Sequence, residues 1–353
     1  MIAVALFKWI VCSSVMASIL IILLVTLKFT LKEKLRASWH HIIWILVVLK
    51  LLIPFGPESQ LSIYNLFNLT DNRITEESYN VINTISTATS NIAKSTPIPV
   101  NFESHQNSAT KHVPGKVDPV YLSIFGLFIW LIGAAIAFSY ILQKNVKIIH
   151  KLKIGDVIHN KELHTYLEEC KNQLKIKRKI ALKSVSNLNS PALYGINGHS
   201  LLIPETMLNE NSLWILRYSI YHELAHHKRK DIQINIFVSF LLVIHWFNPI
   251  IWLAFKKMRQ DSELACDELA LSYLKPDERK NYGLALIEVA RRYSDNLSLA
   301  NAVCFSSSKS NIKRRLLLIS AYNNKTYKSK FVIGFMFFTL FIIALTNAVE
   351  SII

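Results

Sequence analysis

Four apolar runs, each near the length of a bilayer-spanning helix, constrain the fold of this chain more than any other feature. They lie at residues 2–29, 39–55, 121–142 and 331–349. A helix that crosses the hydrocarbon core needs roughly 20 predominantly apolar residues. One such run could be a buried helix of a soluble protein. Four runs, in a chain with 51% hydrophobic residues, predict an integral membrane protein.

The first run is interpreted as a membrane anchor and not as a cleaved signal peptide. Before its basic end at Lys28 the run holds a single charged residue, Lys8, and no small-residue cleavage site follows it. The second run holds Lys50 near its end, where a long side chain can extend to the membrane surface. Residues 1–56 are therefore predicted to form two transmembrane helices, and residues 119–143 and 331–353 one each.

The positions of lysine and arginine predict the orientation, because short cytoplasmic loops retain positive charge. Basic residues cluster from the end of the first run onward, after the third run and before the last run: Lys28, Lys32, Lys34 and Arg36, then Lys144, Lys147, Lys151 and Lys153, then Lys325, Lys328 and Lys330. We expect both termini to lie outside the cell and residues 57–118 to form an extracytoplasmic loop. Residues 144–330 are expected to form a cytoplasmic domain.

Two short motifs in the predicted cytoplasmic part carry the chemistry. A His-Glu-x-x-His motif at 222–226 places two histidines four residues apart, so on a helix both imidazoles can hold one metal ion. In this pattern Glu223 serves as the general base for peptide hydrolysis with zinc. Glu263 offers a third ligand, and Asp267, one turn further on, can accept the other N–H of a ligand histidine. The alternative is two solvated helices with accidental spacing.

The apolar segment between the motifs, residues 232–255, is long enough to cross the membrane. A full crossing would put Glu263 on the opposite side from the histidines and leave the basic residues that follow outside, against the charge rule. Asn248-Pro249 falls within the segment, and proline breaks or kinks a helix. Two arms of about a dozen residues would extend some 20 Å and return. We therefore predict a re-entrant helical hairpin.

The region before the first motif is predicted to form a small α+β unit. Residues 161–170 have helical spacing, residues 175–186 have a strand-like pattern, and Asn197-Gly198 predicts a β-hairpin over 190–204. Such a hairpin could supply an edge strand that holds an extended substrate by main-chain hydrogen bonds. A small sheet that only packs on the metal-binding helix is an equally open alternative.

Together these patterns resemble the BlaR/MecR-type membrane zinc metallopeptidases over nearly the whole chain. The resemblance rests on the four spans and on these local motifs: the Ser-Pro…Gly…Ile-Pro hairpin, His222 to His226 with Asp231 soon after, the Trp-Phe-Asn-Pro break at 246–249, and Glu263-x-x-x-Asp267. It implies a mainly α membrane protein with four transmembrane helices and a re-entrant hairpin. The cytoplasmic part would be a small α+β, gluzincin-like metalloprotease domain.

The resemblance also implies a role for each site residue and a substrate class. The two histidines and Glu263 would be Zn²⁺ ligands, Glu223 the base, and Asp267 and Asp231 supporting acids. In that family a metallopeptidase in the bacterial plasma membrane faces the cytoplasm and transmits a beta-lactam signal, which leads to removal of a repressor of resistance genes. The expected substrate is a cytoplasmic protein, for which a DNA-binding repressor and the chain itself are candidates.

One basic segment resembles a self-cleavage site of these sensors. In residues 310–316 the cut would fall between Arg314 and Arg315. The alternative is a basic stretch of a cytoplasmic helix near the membrane. A second dibasic pair, Arg291-Arg292, shows how common this signal is.

The sequence departs from the family pattern after the last span. Family members continue into an extracytoplasmic penicillin-binding domain, whereas this sequence ends at Ile353. The Ser-x-x-Lys match at 306–309 lies in the predicted cytoplasmic part and has no companion motifs. We therefore do not expect the chain to sense beta-lactams by itself. Three alternatives stay open: a standalone relative, a response to another signal through the external loop, or a truncated form.

The formal charge of +16 does not require a nucleic-acid partner, because the basic residues flank the spans, where anionic lipid head groups attract them. The lipid bilayer is the expected partner, no direct nucleic-acid contact is expected, and a homodimer is left open.

The four cysteines lack paired spacing and are expected to be free thiols, and Cys266 fits the ligand pattern less well than Glu263. A catalytically silent membrane transducer with a structural zinc site is the alternative to a zinc metalloendopeptidase.

Overall fold

The structure of the chain is a computed structural model that describes residues 2–30, 36–53, 119–151, 154–186, 188–195, 199–295, 302–322 and 346. The predicted extracytoplasmic loop lies outside the described residues, as does the last predicted span apart from Thr346. The helices of the described part are α1 (Ile2–Thr30), α2 (Ala37–Ile42), α3 (Trp44–Leu52), α4 (Pro119–Lys151), α5 (Lys161–Leu174), α6 (Leu213–Arg229), α7 (Asp231–Ile244), α8 (Pro249–Tyr273), α9 (Glu278–Asp295) and α10 (Ala302–Ala321). Its strands are β1 (Ile154–Val157), β2 (Ala181–Val185), β3 (Ala192–Tyr194) and β4 (Ser200–Pro204).

Two described helices are long and apolar enough to cross a membrane. They are Trp9–Phe29 within α1 and Ile124–Gln143 within α4. The α4 segment carries large exposed apolar side chains along its length, including Phe125, Phe128 and Ile132. A continuous exposed apolar surface of this kind suits contact with lipid.

The second predicted span is shorter than expected. It divides at Ile43 into α2 and α3, and like α7 it belongs to the apolar helices of 10–17 residues. Such helices extend about 15–25 Å, less than the roughly 30 Å of a hydrocarbon core. Just after the break, Trp44 donates its indole N–H to Asp261 of α8 at 2.8 Å, so packing against α8 shapes this segment. Of the four predicted spanning helices, the described residues include two of sufficient length.

The predicted break at Asn248-Pro249 is confirmed as the turn between α7 and α8. Asn248 caps α8, and its side-chain oxygen accepts a hydrogen bond from the Ile250 N–H at 3.0 Å. Pro249 occupies the first turn of the helix, where its missing N–H needs no partner. At the other end of the arms, Ser262 Oγ of α8 donates to Asp231 of α7 at 2.9 Å. The two arms therefore return to the same level.

Two tryptophans hold the tip of this hairpin against α4. Trp130 Nε1 donates to the Ile244 carbonyl at 2.9 Å, and Trp246 Nε1 donates to the Trp130 carbonyl at 3.2 Å. Gly133 makes room for this arrangement, because a Cβ at that position would overlap the Trp246 indole. Trp130 precedes Gln143, the end of the apolar segment nearer the basic residues, by 13 residues. The tip therefore lies about 20 Å along α4 from that end.

Asn248 fixes the same tip against α1. Its Nδ2 donates to Ser14 Oγ at 2.8 Å and to Ser18 Oγ at 2.7 Å. Ser14 precedes Phe29, the basic end of the apolar segment of α1, by 15 residues, or about 22 Å. Both long helices thus place the tip at a similar distance, about 20 Å, from the basic ends of their apolar segments.

A four-stranded sheet with the order β1-β2-β4-β3 precedes the first metal motif. β2 runs parallel to β4, whereas β1 and β3 pair antiparallel with their neighbours. The predicted β-hairpin is confirmed by the pairing of Ala192 with Leu202 and of Tyr194 with Ser200, and its turn residues 196–198 lie outside the described part. β3 therefore forms an edge of the sheet.

Two apolar cores lie on either side of the metal motifs. The first joins the sheet, α5, α6, α9 and the end of α8, and the second joins α1, α3, α7 and the beginning of α8. Helix α8 runs through both cores, with Ile251 and Phe255 in the second and Ala270 and Leu271 in the first. The motif that contains Glu263 lies between these two ends of α8.

Candidate metal centre

Helix α6 places the two histidines of the first motif side by side. Leu216, Ile220 and Leu224 are buried in the core against the sheet and fix the helix. The rings of His222 and His226 meet edge to face with centroids 4.8 Å apart, and their Nε2 atoms are 3.2 Å apart. The four-residue spacing therefore aims both Nε2 atoms at one point, as helical geometry predicts.

Glu263 of α8 completes a group of three metal-binding side chains. One of its carboxylate oxygens lies 3.3 Å from His222 Nε2, and the other lies 3.6 Å from His226 Nε2. The three ligand atoms lie within 4.8 Å of one another. Two imidazoles and one carboxylate suit zinc better than magnesium or calcium, which prefer oxygen ligands, and leave a fourth position open. The donor set fits a catalytic zinc ion.

Glu223 points toward the edge strand. Its Oε2 accepts a hydrogen bond from the Leu193 N–H of β3 at 3.2 Å. Burial raises the pKa of Glu223, although the charges of His226 and His222 oppose this shift. A cavity of about 270 Å³ joins Glu223 to the histidines and to Ser190 and Pro191 beside β3. The carboxyl group thus faces a space that opens between α6 and the edge strand.

Asp231 orients His226. Its Oδ2 lies 2.8 Å from His226 Nδ1, the ring nitrogen opposite the metal-facing Nε2. Burial alone would raise the pKa of Asp231, but the hydrogen bond from His226 and the charge of Arg229 hold it below its usual range. An ionised carboxylate at this nitrogen fixes the ring orientation and leaves Nε2 free to bind metal. The structure thus places Asp231 beside His226.

Cys266 belongs to a second group of metal-binding atoms, with His226 and Asp231. Its Sγ lies 3.2 Å from His226 Nδ1 and 3.1 Å from Asp231 Oδ2. Burial and the negative charge of Asp231 raise the pKa of this thiol well above its usual value. Because the thiolate is the form that binds metals, Cys266 acts here as a hydrogen-bond donor to Asp231.

Asp267 and Tyr282 contact His222 at Nδ1, the ring nitrogen opposite the metal-facing Nε2. Asp267 Oδ1 lies 3.1 Å from His222 Nδ1, in the position that the sequence analysis expected. The Tyr282 hydroxyl of α9 lies 3.1 Å from the same nitrogen and donates to Asp267 Oδ1 at 2.7 Å. Tyr282 was not predicted, because no local motif marks a tyrosine 60 residues beyond the histidine it contacts.

The predicted self-cleavage pair lies inside α10. Arg315 enters the metal site and donates from Nε and Nη2 to the two oxygens of Asp267 at 2.6 and 2.7 Å. Arg314 instead points toward Asp261, at 3.5 Å. Proteolysis at this bond would require local unfolding of α10, since proteases bind extended chains. Self-cleavage between the two arginines stays a prediction.

Zinc affinity is expected to fall as the pH is lowered from 9 toward 7. Burial and the charge of Arg315 lower the pKa of His222, but hydrogen bonds to Asp267 and Glu263 outweigh them and raise it to about 9. Below that pH the metal must displace a proton from His222, so the apparent affinity loses about a factor of ten per pH unit. Competition with a chromophoric chelator, corrected for its own protonation, measures this slope.

Asp267→Asn is the matched variant for this measurement. It removes a negative charge that raises the pKa of His222, so the slope between pH 7 and 9 should flatten. A zinc affinity that does not change with pH in the parent chain over this range would contradict the prediction.

Comparisons with known proteins identify one family over most of the chain. The sequence profile of a family described as BlaR1 peptidase M56 matches residues 8–319. The chain is 25% identical over 308 residues to "Regulatory protein BlaR1" of Bacillus licheniformis, covering 87% of this chain and 50% of that protein. It is 25% identical over 307 residues to "Methicillin resistance mecR1 protein" of Staphylococcus aureus (strain Mu50 / ATCC 700699), covering 84% of this chain and 48% of that protein. The chain spans about half the length of these curated relatives.

Proposed function

The chain belongs to the BlaR1 peptidase M56 family, and we propose that it is a membrane-embedded zinc metalloendopeptidase of a signal-transduction system. The proposed substrate is a cytoplasmic protein, either a transcriptional repressor or the chain itself. The single observation that carries the proposal is the convergence of His222, His226 and Glu263, whose ligand atoms lie within 4.8 Å of one another. Their sequence separation makes accidental convergence improbable without a common ligand.

The proposed setting is a bacterial plasma membrane, with the active site on the cytoplasmic side. Support comes from the two long apolar helices and from the basic residues at one end of each. The hairpin tip lies about 20 Å from those ends, which is less than the roughly 30 Å thickness of a hydrocarbon core. A hairpin of this depth enters the bilayer and returns, so both metal motifs stay on one side. Regulation of antibiotic resistance is proposed by analogy with the mecR1 relative.

In the proposed mechanism, His222, His226 and Glu263 hold Zn²⁺, while Asp231 and Asp267 fix the orientation of the two imidazoles. A zinc ion in such a site supplies Lewis acidity toward a carbonyl oxygen and acidifies water. Glu223 takes a proton from the attacking water and later gives it to the nitrogen of the departing amine. Its raised pKa suits this double role, because the group must both accept and release a proton near neutral pH.

The edge strand β3 is the proposed platform for the substrate chain. It pairs with β4 on one side and forms the edge of the sheet on the other. Leu193 in this strand contacts Glu223, so a segment added alongside β3 would pass close to the catalytic base. The substrate segment must therefore be extended when it binds.

Comparison of protein N-termini in cells tests the proposal. Cells that carry the parent chain are expected to contain cleavage products that are absent from cells carrying His222→Ala together with His226→Ala. Equal amounts of both chains in the membrane fraction provide the control. If the two sets of N-termini are the same under conditions where the chain is active in signalling, the catalytically silent transducer is the correct description.

The purified full-length chain in lipid nanodiscs provides a second test with the substrate found in this way. Removal of metal with a chelator is expected to stop cleavage, and Zn²⁺ but not Mg²⁺ to restore it. Cleavage that persists after complete metal removal would overturn the assignment.

A further inference from the structure

Arg315 is the one residue of α10 that reaches the two carboxylates beside His222 within the described part of the chain. Its side chain is 13% exposed, whereas that of the preceding Arg314 is 43% exposed. Arg315 donates to both oxygens of Asp267 and also lies 3.3 Å from Glu263 Oε2 through Nη1. The two adjacent arginines therefore lie in different environments, although in sequence they form a single dibasic pair.

The contacts of Arg315 bracket one metal-binding histidine. Asp267 approaches His222 at Nδ1, and Glu263 approaches the same ring at Nε2. The guanidinium group, with its planar and fixed arrangement of donors, contacts both carboxylates at once. It also lies 3.3 and 3.4 Å from the two ring nitrogens of His222, so it sits over the ring and cannot form two in-plane hydrogen bonds with it.

We infer that Arg315 is a positioning residue of the metal centre, which holds Asp267 and Glu263 in the orientations that zinc binding requires. The inference rests on the proposed function, because it assumes that these side chains bind zinc. Asp267 is fully buried, and without Arg315 its remaining polar contacts among the described residues would be the Tyr282 hydroxyl and His222. A buried carboxylate that loses its ion-pair partner rearranges or takes up a proton, and in either case its support of His222 changes.

Arg315 also links α10 to the metal centre. Residues of α6, α8 and α9 line the cavity of the site, and Arg315 is the lining residue that comes from α10. Docking of α10 therefore completes the charge balance around His222, and undocking would remove a cation from between two carboxylates. In this description the metal centre is fully formed only when α10 is packed in place.

Zinc affinity of the full-length chain in lipid nanodiscs tests the inference, with Zn²⁺ alone as the probe and a chromophoric chelator as competitor. Arg315→Ala is expected to weaken zinc binding by about 10- to 100-fold, the range found for residues that orient metal ligands. Arg315→Lys should recover part of this loss, because a lysine restores the charge but not the paired contact with Asp267. Arg314→Ala is the matched control and should bind zinc like the parent chain.

A purely structural role is separated from a positioning role by two readouts. A structural role would lower the apparent Tm and leave the zinc dissociation constant of the folded fraction unchanged, which would overturn the inference. If Arg315→Ala does not fold, the zinc affinity is measured instead on Arg315→Lys and on the double variant Asp267→Asn with Arg315→Met. In the Asp267→Asn background, replacing Arg315 should weaken zinc binding less than in the parent background, because the shared partner is already altered. Equal losses in both backgrounds would contradict the inference.

Failure of the inference and failure of the proposed function give different results. Parent-like zinc affinity in Arg315→Ala, with proteolysis intact in the parent, rejects the positioning role alone. If Arg315→Ala loses zinc affinity and the parent chain itself cleaves nothing, the positioning role is supported and the peptidase function is rejected.

Discussion

Glu223→Gln is expected to lower the rate of substrate cleavage by about 10²- to 10⁴-fold, the range for loss of a general acid–base group. Glutamine has nearly the shape of glutamate, and its side-chain oxygen can still accept the hydrogen bond from the Leu193 N–H. It cannot take a proton from water at neutral pH. The zinc content should therefore stay near that of the parent, since Glu223 is not one of the three grouped ligands. Single-turnover cleavage and zinc analysis of the same sample measure both quantities.

Glu168→Gln is a suitable control for this experiment. Glu168 lies on α5 with a side chain that is 57% exposed, and it pairs with Lys171 away from the metal site. The change has the same chemistry and should leave cleavage unchanged. A Glu223→Gln chain that cleaves within tenfold of the parent would show that another group acts as the base.

Gly133→Val is expected to displace the hairpin tip and to reduce cleavage by at least about tenfold, since misplacement of a site by about 1 Å can cost 10²-fold. A side chain at Gly133 would overlap the Trp246 indole, whose N–H bonds to the Trp130 carbonyl. Overpacking of this kind costs about 1–3 kcal/mol. Helix α8 begins three residues after Trp246 and carries Glu263, so a shift of the tip is transmitted to the metal ligand.

Ala135→Val places the same final side chain at an exposed position of α4, where it adds two carbon atoms instead of three, and it controls for the presence of a valine in this helix. The apparent Tm of the purified chain should fall by several degrees for Gly133→Val, at about 2–4 °C per kcal/mol for domains of 150–250 residues. It should not fall for Ala135→Val. Equal behaviour of the two variants would show that the contact between Gly133 and Trp246 does not position the hairpin.

Local sequence signals predicted the helices and turns that depend on neighbouring residues. The spacing of His222 and His226 fixes both on one face of any helix. Asn248-Pro249 favours a break between two helices, because proline fits the first turn of a helix but kinks or breaks its interior. A supporting role for Asp267 followed from the usual need of a ligand imidazole for an acceptor at its second nitrogen. Asp231 was expected only from the family resemblance, and the sequence did not show which histidine each acid contacts. The family resemblance is confirmed by the profile match over residues 8–319.

Contacts between distant segments could not be predicted in this way. Tyr282 and Arg315 reach His222 from 60 and 93 residues further along the chain, and neither belongs to a motif with a metal-binding spacing. Arg315 was considered only as half of a dibasic pair, because sequence alone does not show which of two adjacent arginines is buried. The division of the second apolar run at Ile43 was missed for a similar reason, since hydropathy does not report the hydrogen bond from Trp44 to Asp261.

The order of the segments has a practical consequence for protein production. After His226 the chain forms α7, turns at the hairpin tip, where Trp246 bonds to Trp130, and returns along α8 before it reaches Glu263. Any fragment that contains both motifs also contains this apolar hairpin. A shortened chain intended for purification without detergent would either lack Glu263 or expose Phe237, Phe240 and Leu253 to water. Measurements of zinc binding and of cleavage should therefore start from the chain in a lipid or detergent environment.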